Sequence, residues 1–277
     1  MKYICINHLP KILVNALILW DKHPFLRRIH NKVILRSGLV RKEEYEFLTK
    51  ISKLSIGDTT FIQIGAANGV DNDPLFEFIK IDNWCGTLVE PIPHVYEDLQ
   101  RTYRKQSELS FINAAITPTK LNKINLYSIS SSFASTLNKI DANTLYRKTS
   151  FNRELMLSAI RRFSSDEPEK HVEVISVPAI SINDLLEQHN PYGIDLLCVD
   201  CEGMDFEILS RLKFDPNRLI KSIIFETTFI KGSRNNFEGS QFQALLRHFN
   251  NNNYQLVFSN RFNAGLVHQS AIKSYNY

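Results

Sequence analysis

The chain has 277 residues, of which 43% are hydrophobic and 22% are charged, proportions that are ordinary for a soluble globular protein. Its formal net charge of +4, without a long run of lysine or arginine, argues against a dedicated nucleic-acid binder. Four scattered cysteines are too few for a disulfide framework, which favours a cytoplasmic location. Cys198 and Cys201 form a Cys-x-x-Cys pair, but no second pair completes a zinc site, so a packing role is favoured. Asp200, Glu202 and Glu226 could supply oxygen ligands to a metal, but nothing in their spacing requires one, and none is predicted.

Residues 1–55 predict a helical extension ahead of the main domain. Residues 9–20 are apolar, but Lys11 and Asn15 interrupt them and the stretch is too short to span a bilayer. Residues 42–54 carry apolar side chains at helical spacing. We interpret the extension as helices packed on the domain or on a second subunit, which would make a homodimer. A shallow membrane contact is the less favoured alternative.

From residue 56 onward, apolar strands alternate with amphipathic helices. Strands are predicted at residues 61–64, 87–89, 109–116, 123–130, 172–177, 194–199 and 219–225. Helices are predicted at residues 74–79, 95–105, 182–188, 206–212 and 242–249. Repeated strand–helix–strand units predict an α/β fold with a mostly parallel sheet covered by helices on both faces. We expect an antiparallel hairpin, formed by residues 254–258 and 264–268, to close the sheet. The predicted domain spans residues 56–277 and contains a charged helical insertion around residues 141–170.

The run from Thr60 to Gly69, Thr-Phe-Ile-Gln-Ile-Gly-Ala-Ala-Asn-Gly, predicts a buried strand that ends in a tight turn before a helix. At such turns α/β proteins bind the anionic parts of cofactors. The turn lacks the middle glycine of Gly-x-Gly-x-x-Gly and has no Gly-Lys-Ser/Thr, so pyrophosphate binding is not favoured. A smaller charged group, such as an amino-acid carboxylate, needs less clearance and fits this turn.

Polar residues also follow the other predicted strands, and the carboxyl ends of parallel strands meet at one edge of the sheet. Glu90 follows the second strand, where a carboxylate can accept both hydroxyl hydrogens of a ribose. Asn113 interrupts the third strand, and Glu226 ends the last parallel one. Asp200 and Glu202 follow residues 194–199. We expect Asp200 in the site, whereas the sequence leaves Glu202 open between the site and an ordinary charge near a helix start.

Four segments together resemble the FkbM family of S-adenosylmethionine-dependent methyltransferases. They read Ile-Gln-Ile-Gly-Ala-Ala-Asn-Gly, Val-Glu-Pro-Ile-Pro, Asn-Ala-Ala-Ile and Asp-Leu-Leu-Cys-Val-Asp-Cys-Glu-Gly-Met-Asp-Phe-Glu-Ile-Leu. The resemblance covers roughly residues 56–268. It implies a class I methyltransferase fold with a Rossmann-like sheet. It also implies methyl transfer from S-adenosyl-L-methionine, usually to a hydroxyl of a sugar or another small metabolite.

The resemblance further implies roles for single residues. Residues 65–69 would lie under the methionine part of the cofactor, Glu90 would hold the ribose, and Asn113 and Ala114 would flank the adenine. Asp200 would face the methyl group and, with Glu202, is a candidate catalytic base. Gln63 departs from the pattern, since many methyltransferases have an acid there that grips the cofactor's amino group. The predicted cofactor-binding residues are Gln63, Gly65, Ala66, Asn68, Gly69, Glu90, Pro91, Asn113, Ala114 and Asp200.

Two other functions stay open at this point. A nicotinamide-dependent oxidoreductase would keep the glycine turn and Glu90, but it needs a pyrophosphate-binding loop. A non-catalytic partner-binding module would use the helices of residues 1–55. The sequence does not identify the acceptor. The insertion contains aromatic and arginine side chains, namely Tyr146, Phe151, Arg153 and Phe163. They could form a wall that binds the acceptor, or belong to a helix that covers apolar surface.

Overall fold

The computed structural model describes residues 23–25, 28, 42–54, 58–164, 167–230 and 240–275. The apolar stretch 9–20, on which the predicted membrane or subunit contact depends, lies outside these residues. Among the helices that are described, none combines the length and the hydrophobicity that crossing a bilayer requires.

Strands and helices alternate along most of the described chain. The strands are β1 (Thr60–Ile64), β2 (Cys85–Val89), β3 (Leu109–Ile112), β4 (Ala115–Thr117), β5 (Lys123–Ile129), β6 (Val172–Ser181), β7 (Ile194–Val199), β8 (Ile220–Glu226), β9 (Tyr254–Ser259) and β10 (Asn263–His268). The helices are α1 (Lys42–Leu54), α2 (Phe76–Ile81), α3 (Pro93–Tyr103), α4 (Ser131–Ala134), α5 (Lys139–Tyr146), α6 (Arg153–Ile160), α7 (Ile182–His189), α8 (Asp205–Leu209), α9 (Gln241–Asn250) and α10 (Gln269–Ile272). A 3-10 turn at Pro168–His171 precedes β6.

Seven strands form the main sheet in the order β3–β2–β1–β7–β8–β10–β9. The pairs from β3 to β8 are parallel, whereas β10 runs antiparallel to both β8 and β9. The predicted class I methyltransferase sheet with its closing antiparallel hairpin is therefore confirmed. The strand order reverses beside β1, which lies between β2 and β7, and open α/β sheets bind ligands beyond the strand ends at such a point.

The predicted third strand, 109–116, divides between two sheets. β3 stays in the main sheet, whereas β4 joins a smaller sheet of order β4–β6–β5. The chain leaves the main sheet at Asn113, whose side-chain amide donates to the carbonyl oxygens of Glu90 and Pro91 at 2.8 and 3.1 Å. The predicted insertion helix forms as two short helices, α5 and α6, separated at Ser150, which bridges to Tyr127 of β5.

Helices cover both faces of the main sheet because alternate strand residues are buried on opposite sides. On one face, Ile62 and Leu197 belong to the same core as α7, α8 and α9. On the other, Phe61 and Leu196 share a core with α1, α2 and α3. The predicted helix at 42–54 therefore packs directly on the sheet, through Phe47 among others.

Candidate functional site

A pocket of about 370 Å³ opens at the carboxyl edge of the main sheet, beside the end of β1. Side chains from the ends of β1, β2, β7 and β8 line it, together with residues of the insertion. Eight of the residues predicted from the sequence lie in its wall, namely Gln63, Gly65, Ala66, Glu90, Pro91, Ala114, Asp200 and Glu202. The structure thus brings together strand ends that are up to 162 positions apart in the chain, from Ile64 at the end of β1 to Glu226 at the end of β8.

Asn68, Gly69 and Asn113 are not among the residues that line the pocket. The Asn68 side-chain oxygen Oδ1 accepts from the backbone N–H groups of Val70 and Asp71 at 3.1 and 3.0 Å, so this side chain shapes the turn. The carbonyl of Gly69 accepts from the Tyr103 hydroxyl at 2.9 Å, and the amide of Asn113 holds the end of β2. In this structure the three residues support the pocket wall from behind.

Gly65 brings the ends of β1 and β7 into close contact. Its φ of +77° lies in the left-handed region, and its N–H, like that of Ala66, donates to the carbonyl of Val89 at 3.0 Å. A β-carbon at Gly65 would lie 1.8 Å from the backbone oxygen of Asp200. The turn therefore requires glycine at this position, and the resulting contact places the Asp200 strand end directly beside the turn.

Glu90 is a buried carboxylate, 5% exposed, at the end of β2. One of its oxygens accepts from the backbone N–H of Ala67 and the other from that of Ile92, both at 2.9 Å. Burial raises the pKa of Glu90 to about 7, and the two backbone hydrogen bonds oppose that shift. Because each carboxylate oxygen has two acceptor positions, both oxygens retain capacity for a further donor such as a hydroxyl.

Three carboxylates that follow or end β7 and β8 also line the pocket, namely Asp200, Glu202 and Glu226. Asp200 is exposed at the end of β7, with its N–H donating to the Ile64 carbonyl at 3.0 Å. Burial and the charge of Asp200 raise the pKa of Glu202 to about 7 and that of Glu226 to about 9. One Glu226 oxygen is buried and receives no hydrogen bond from any described residue. Burial, reinforced by repulsion among the acids, therefore favours the protonated form of Glu226 near neutral pH.

The insertion forms one wall of the pocket and contacts Glu202, which follows β7. Lys148 Nζ lies 2.5 Å from Glu202 Oε1, and Ser150 Oγ donates to the Glu202 carbonyl at 2.8 Å. The φ of Glu202 is +45°, so these contacts hold a backbone conformation that L-residues rarely adopt. The side chain that the sequence left open is thus part of the pocket.

Only part of the predicted acceptor wall contacts the pocket. Tyr146 and Phe151 line it, whereas Arg153 lies near Glu154 with its Nη1 4.0 Å from Oε1. Phe163 packs against a hydrophobic cluster between the insertion and β5. For Phe163, the alternative of a helix covering apolar surface therefore holds.

Sequence reasoning missed Asp73, Arg147 and Lys148, all of which line the pocket. No local pattern marks the two basic residues, which reach the pocket only because α5 ends beside the turn after β1. Arg147 Nη1 lies 3.7 Å from Asp71 Oδ2. Asp73 carried a signal, since an aspartate immediately before a predicted helix, here residues 74–79, is a typical turn residue. Within the described ranges, no three His, Cys, Asp or Glu side chains are grouped as a metal site.

Comparison with known proteins adds one decisive match. The model of the family described as "Methyltransferase FkbM domain" matches residues 63–256, which is most of the chain and contains every strand end that lines the pocket. No curated protein matches the chain.

Similar solved structures are much more distant. One is fibrillarin from Aeropyrum pernix in complex with natively bound S-adenosyl-L-methionine, which is 11% identical to this chain. The match spans 77% of this chain and 68% of the fibrillarin chain, with a TM-score of 0.38. A methyltransferase from Podospora anserina with bound S-adenosylhomocysteine is 9% identical, covers 97% and 99% of the two chains, and gives 0.39. With TM-scores below 0.5, neither similarity supports a conclusion about this chain.

Proposed function

We propose that this chain, which belongs to the FkbM methyltransferase family, transfers the methyl group of S-adenosylmethionine to a hydroxyl oxygen of a sugar or another small metabolite. The observation that carries the proposal is the pairing, in one pocket, of the buried Glu90 carboxylate with the exposed Asp200 carboxylate beside the Gly65 turn. The first suits a ribose and the second suits an acceptor hydroxyl. Family membership also favours methyl transfer over a nicotinamide-dependent oxidation.

The residues of the pocket fit the cofactor's chemistry. Both oxygens of Glu90 retain acceptor positions for the two ribose hydroxyls. Ile92, Val95 and Ala114 supply an apolar wall of the kind that an adenine ring needs. Gln63 lies at the end of the pocket that we assign to the methionine part of the cofactor. Its side-chain oxygen Oε1 is buried and receives no hydrogen bond from the described residues. An ammonium group is a donor that suits this acceptor.

When bound, the cofactor supplies a methyl group that is already activated as a sulfonium. The protein has to align the acceptor, exclude water and take up the hydroxyl proton as the new bond forms. Asp200 is the proposed general base, and Glu202 is the second candidate. Glu226, with its pKa raised to about 9, is neutral near pH 7 and can donate a hydrogen bond to the acceptor. This wall of oxygens suits a substrate rich in hydroxyl groups.

The proposal is tested first by ligand binding to the full chain. S-adenosylhomocysteine at 100 times its dissociation constant should increase the free energy of unfolding by about 2.7 kcal/mol. NAD at the same concentration should leave it unchanged. Stabilisation by NAD alone would favour the oxidoreductase, and stabilisation by neither ligand would favour a partner-binding module.

The assignment of Asp200 is tested by methyl transfer from radiolabelled S-adenosylmethionine to a panel of free and nucleotide-linked sugars. Asp200→Asn should lower kcat about 10²- to 10⁴-fold, because the hydroxyl proton loses its acceptor. Glu97→Gln, which removes an exposed carboxylate of α3, is the matched control and should keep the wild-type rate. Full turnover in Asp200→Asn would show that another group is the base.

The cytoplasmic location and the contact of residues 1–55 with a second subunit or a membrane remain proposals.

A further inference from the structure

We propose that Asp73, together with the carbonyl of Gln63, binds the ammonium group of the cofactor's methionine part. The inference rests on the proposed function, because it concerns the same pocket. Gln63 is the penultimate residue of β1, and its amide side chain is neutral. The family resemblance implies an acid at this position in many methyltransferases. Asp73, ten residues further along the chain, brings a negative charge back to the same wall.

The orientation of Gln63 follows from its hydrogen bond to Asp73. Gln63 is 3% exposed, and its Nε2 donates to Asp73 Oδ1 at 3.0 Å. With the amino side of the amide directed at the carboxylate, the carbonyl oxygen Oε1 is buried and receives no hydrogen bond from the described part of the chain. A buried carbonyl without a donor is costly, and a ligand N–H that reaches it removes that cost.

Asp73 is held rigidly beside this carbonyl. It is 5% exposed, and Oδ1 also accepts from the backbone N–H of Leu75 at 2.8 Å. The Tyr103 hydroxyl lies 3.2 Å from Oδ2 and 2.9 Å from the Gly69 carbonyl, which fixes the carboxylate against the turn after β1. Asp73 also lines the pocket, as Gln63 does, so the carboxylate and the amide belong to the same wall.

The two side chains together match an ammonium group. An ammonium carries three N–H donors and a positive charge, while the wall offers a carbonyl oxygen and a carboxylate that are joined by a hydrogen bond. Charge-assisted hydrogen bonds are about twice as strong as neutral ones. We therefore assign most of the discrimination for the amino group to Asp73, whereas Gln63 positions the carboxylate and contributes the neutral acceptor.

The experiment compares two ligands by calorimetry on the full chain. S-adenosylhomocysteine carries the amino-acid group, whereas 5′-methylthioadenosine keeps the adenosine and the sulfur without it. Asp73→Asn should weaken binding of the first about 10- to 100-fold and leave binding of the second within about twofold. Glu90→Gln should weaken both, since both contain the ribose. Asp195→Asn, a buried aspartate at the amino end of β7, is the matched control and should change neither.

A double variant that moves the negative charge distinguishes an electrostatic role of Asp73 from a structural one. Asp73→Asn combined with Gln63→Glu moves the carboxylate to the neighbouring side of the same hydrogen bond and should restore most of the affinity for S-adenosylhomocysteine. On the unmodified protein, an S-adenosylhomocysteine analogue that lacks only the amino group should bind at least about 10-fold more weakly. This measurement needs no variant, so a failure of Asp73→Asn to fold does not prevent the test.

Three outcomes would overturn the inference. Equal loss of both ligands in Asp73→Asn would make Asp73 structural, and unchanged binding of both would remove it from the site. A wild-type protein that binds the deaminated analogue as well as the parent compound would show that the amino group is not recognised. In each case the proposed function stands, whereas a wild-type protein that binds none of these adenosine ligands would overturn the proposed function and this inference together.

Discussion

Gly65 and Gly203 both lie in turns beside the pocket, and both have positive φ, +77° and +105°. They differ in what a side chain would meet. A β-carbon at Gly65 would overlap the backbone oxygen of Asp200, whereas one at Gly203 would lie 3.1 Å from the tip of the Leu155 side chain, which can rotate away. The two positions therefore separate the cost of a left-handed conformation from the cost of a blocked backbone contact.

Gly65→Ala should lower the free energy of unfolding by about 2–5 kcal/mol, since it combines a left-handed conformation with overpacking against β7. Gly203→Ala should lower it by about 1–2 kcal/mol, through its backbone conformation alone. Urea denaturation of both variants measures the difference. Equal losses would contradict the close approach of Gly65 to Asp200.

Among the elements, α1 connects the region predicted as an extension to the rim of the pocket. The Phe47 ring lies 5.3 Å from that of Phe258 in β9, and Phe47 is 1% exposed. Glu44 Oε2 accepts from the Asn263 side-chain amide at 2.8 Å, and Asn263 both begins β10 and lines the pocket. The domain boundary near residue 55 stays a prediction, but α1 shares its core with β1.

Phe47→Ala should lower the free energy of unfolding by about 3–5 kcal/mol, because a large side chain leaves a filled core. Glu46→Ala on the same helix is the control, with a side chain 56% exposed, and should change stability by no more than about 0.5 kcal/mol. Chemical denaturation of the full chain measures both. A loss below about 1 kcal/mol for Phe47→Ala would mean that α1 is not part of the cooperative fold.

For the whole molecule, the acids of the pocket determine how stability depends on pH. The pKa values of Glu90 and Glu202 are raised to about 7, and that of Glu226 to about 9, from an ordinary value of 4.5. Desolvation by burial is the largest cause of the raised pKa in all three residues. For Glu226, the charges of Asp200, Glu202 and Asp205 raise the pKa further. Because the folded protein holds these protons when the unfolded chain has lost them, ligand-free stability falls as pH rises from about 4.5 to 9.

Between pH 6 and pH 9, urea denaturation of the ligand-free protein should show a loss of stability on the order of 2–4 kcal/mol from Glu226 alone. Glu226→Gln cannot ionise and should flatten the curve, most clearly between pH 7 and 9. Glu97→Gln, on the exposed face of α3, should keep the wild-type slope. A slope that does not differ between Glu226→Gln and the wild type would contradict the raised pKa of Glu226.

The sequence by itself determined the sheet, its helical layers and the polar strand ends. Local periodicity distinguishes strands from helices, and the carboxyl ends of parallel strands meet at one edge whatever the loops do. Glu90 and Asp200 were therefore assignable to one pocket before any contact was known. Asn68 and Asn113 belong to the same motifs, but a motif does not tell which of its side chains faces the ligand and which supports the turn.

Only the tertiary structure decided which distant side chains meet. Lys148 and Glu202 are 54 residues apart, and they pair because the insertion folds back over the end of β7. Gln63 and Asp73 are ten residues apart, and they meet because the turn after β1 brings the two buried side chains within one hydrogen bond. The raised pKa of Glu226 depends on desolvation by neighbours from several elements. Such properties depend on distances and burial in three dimensions, for which periodicity along a chain carries no information.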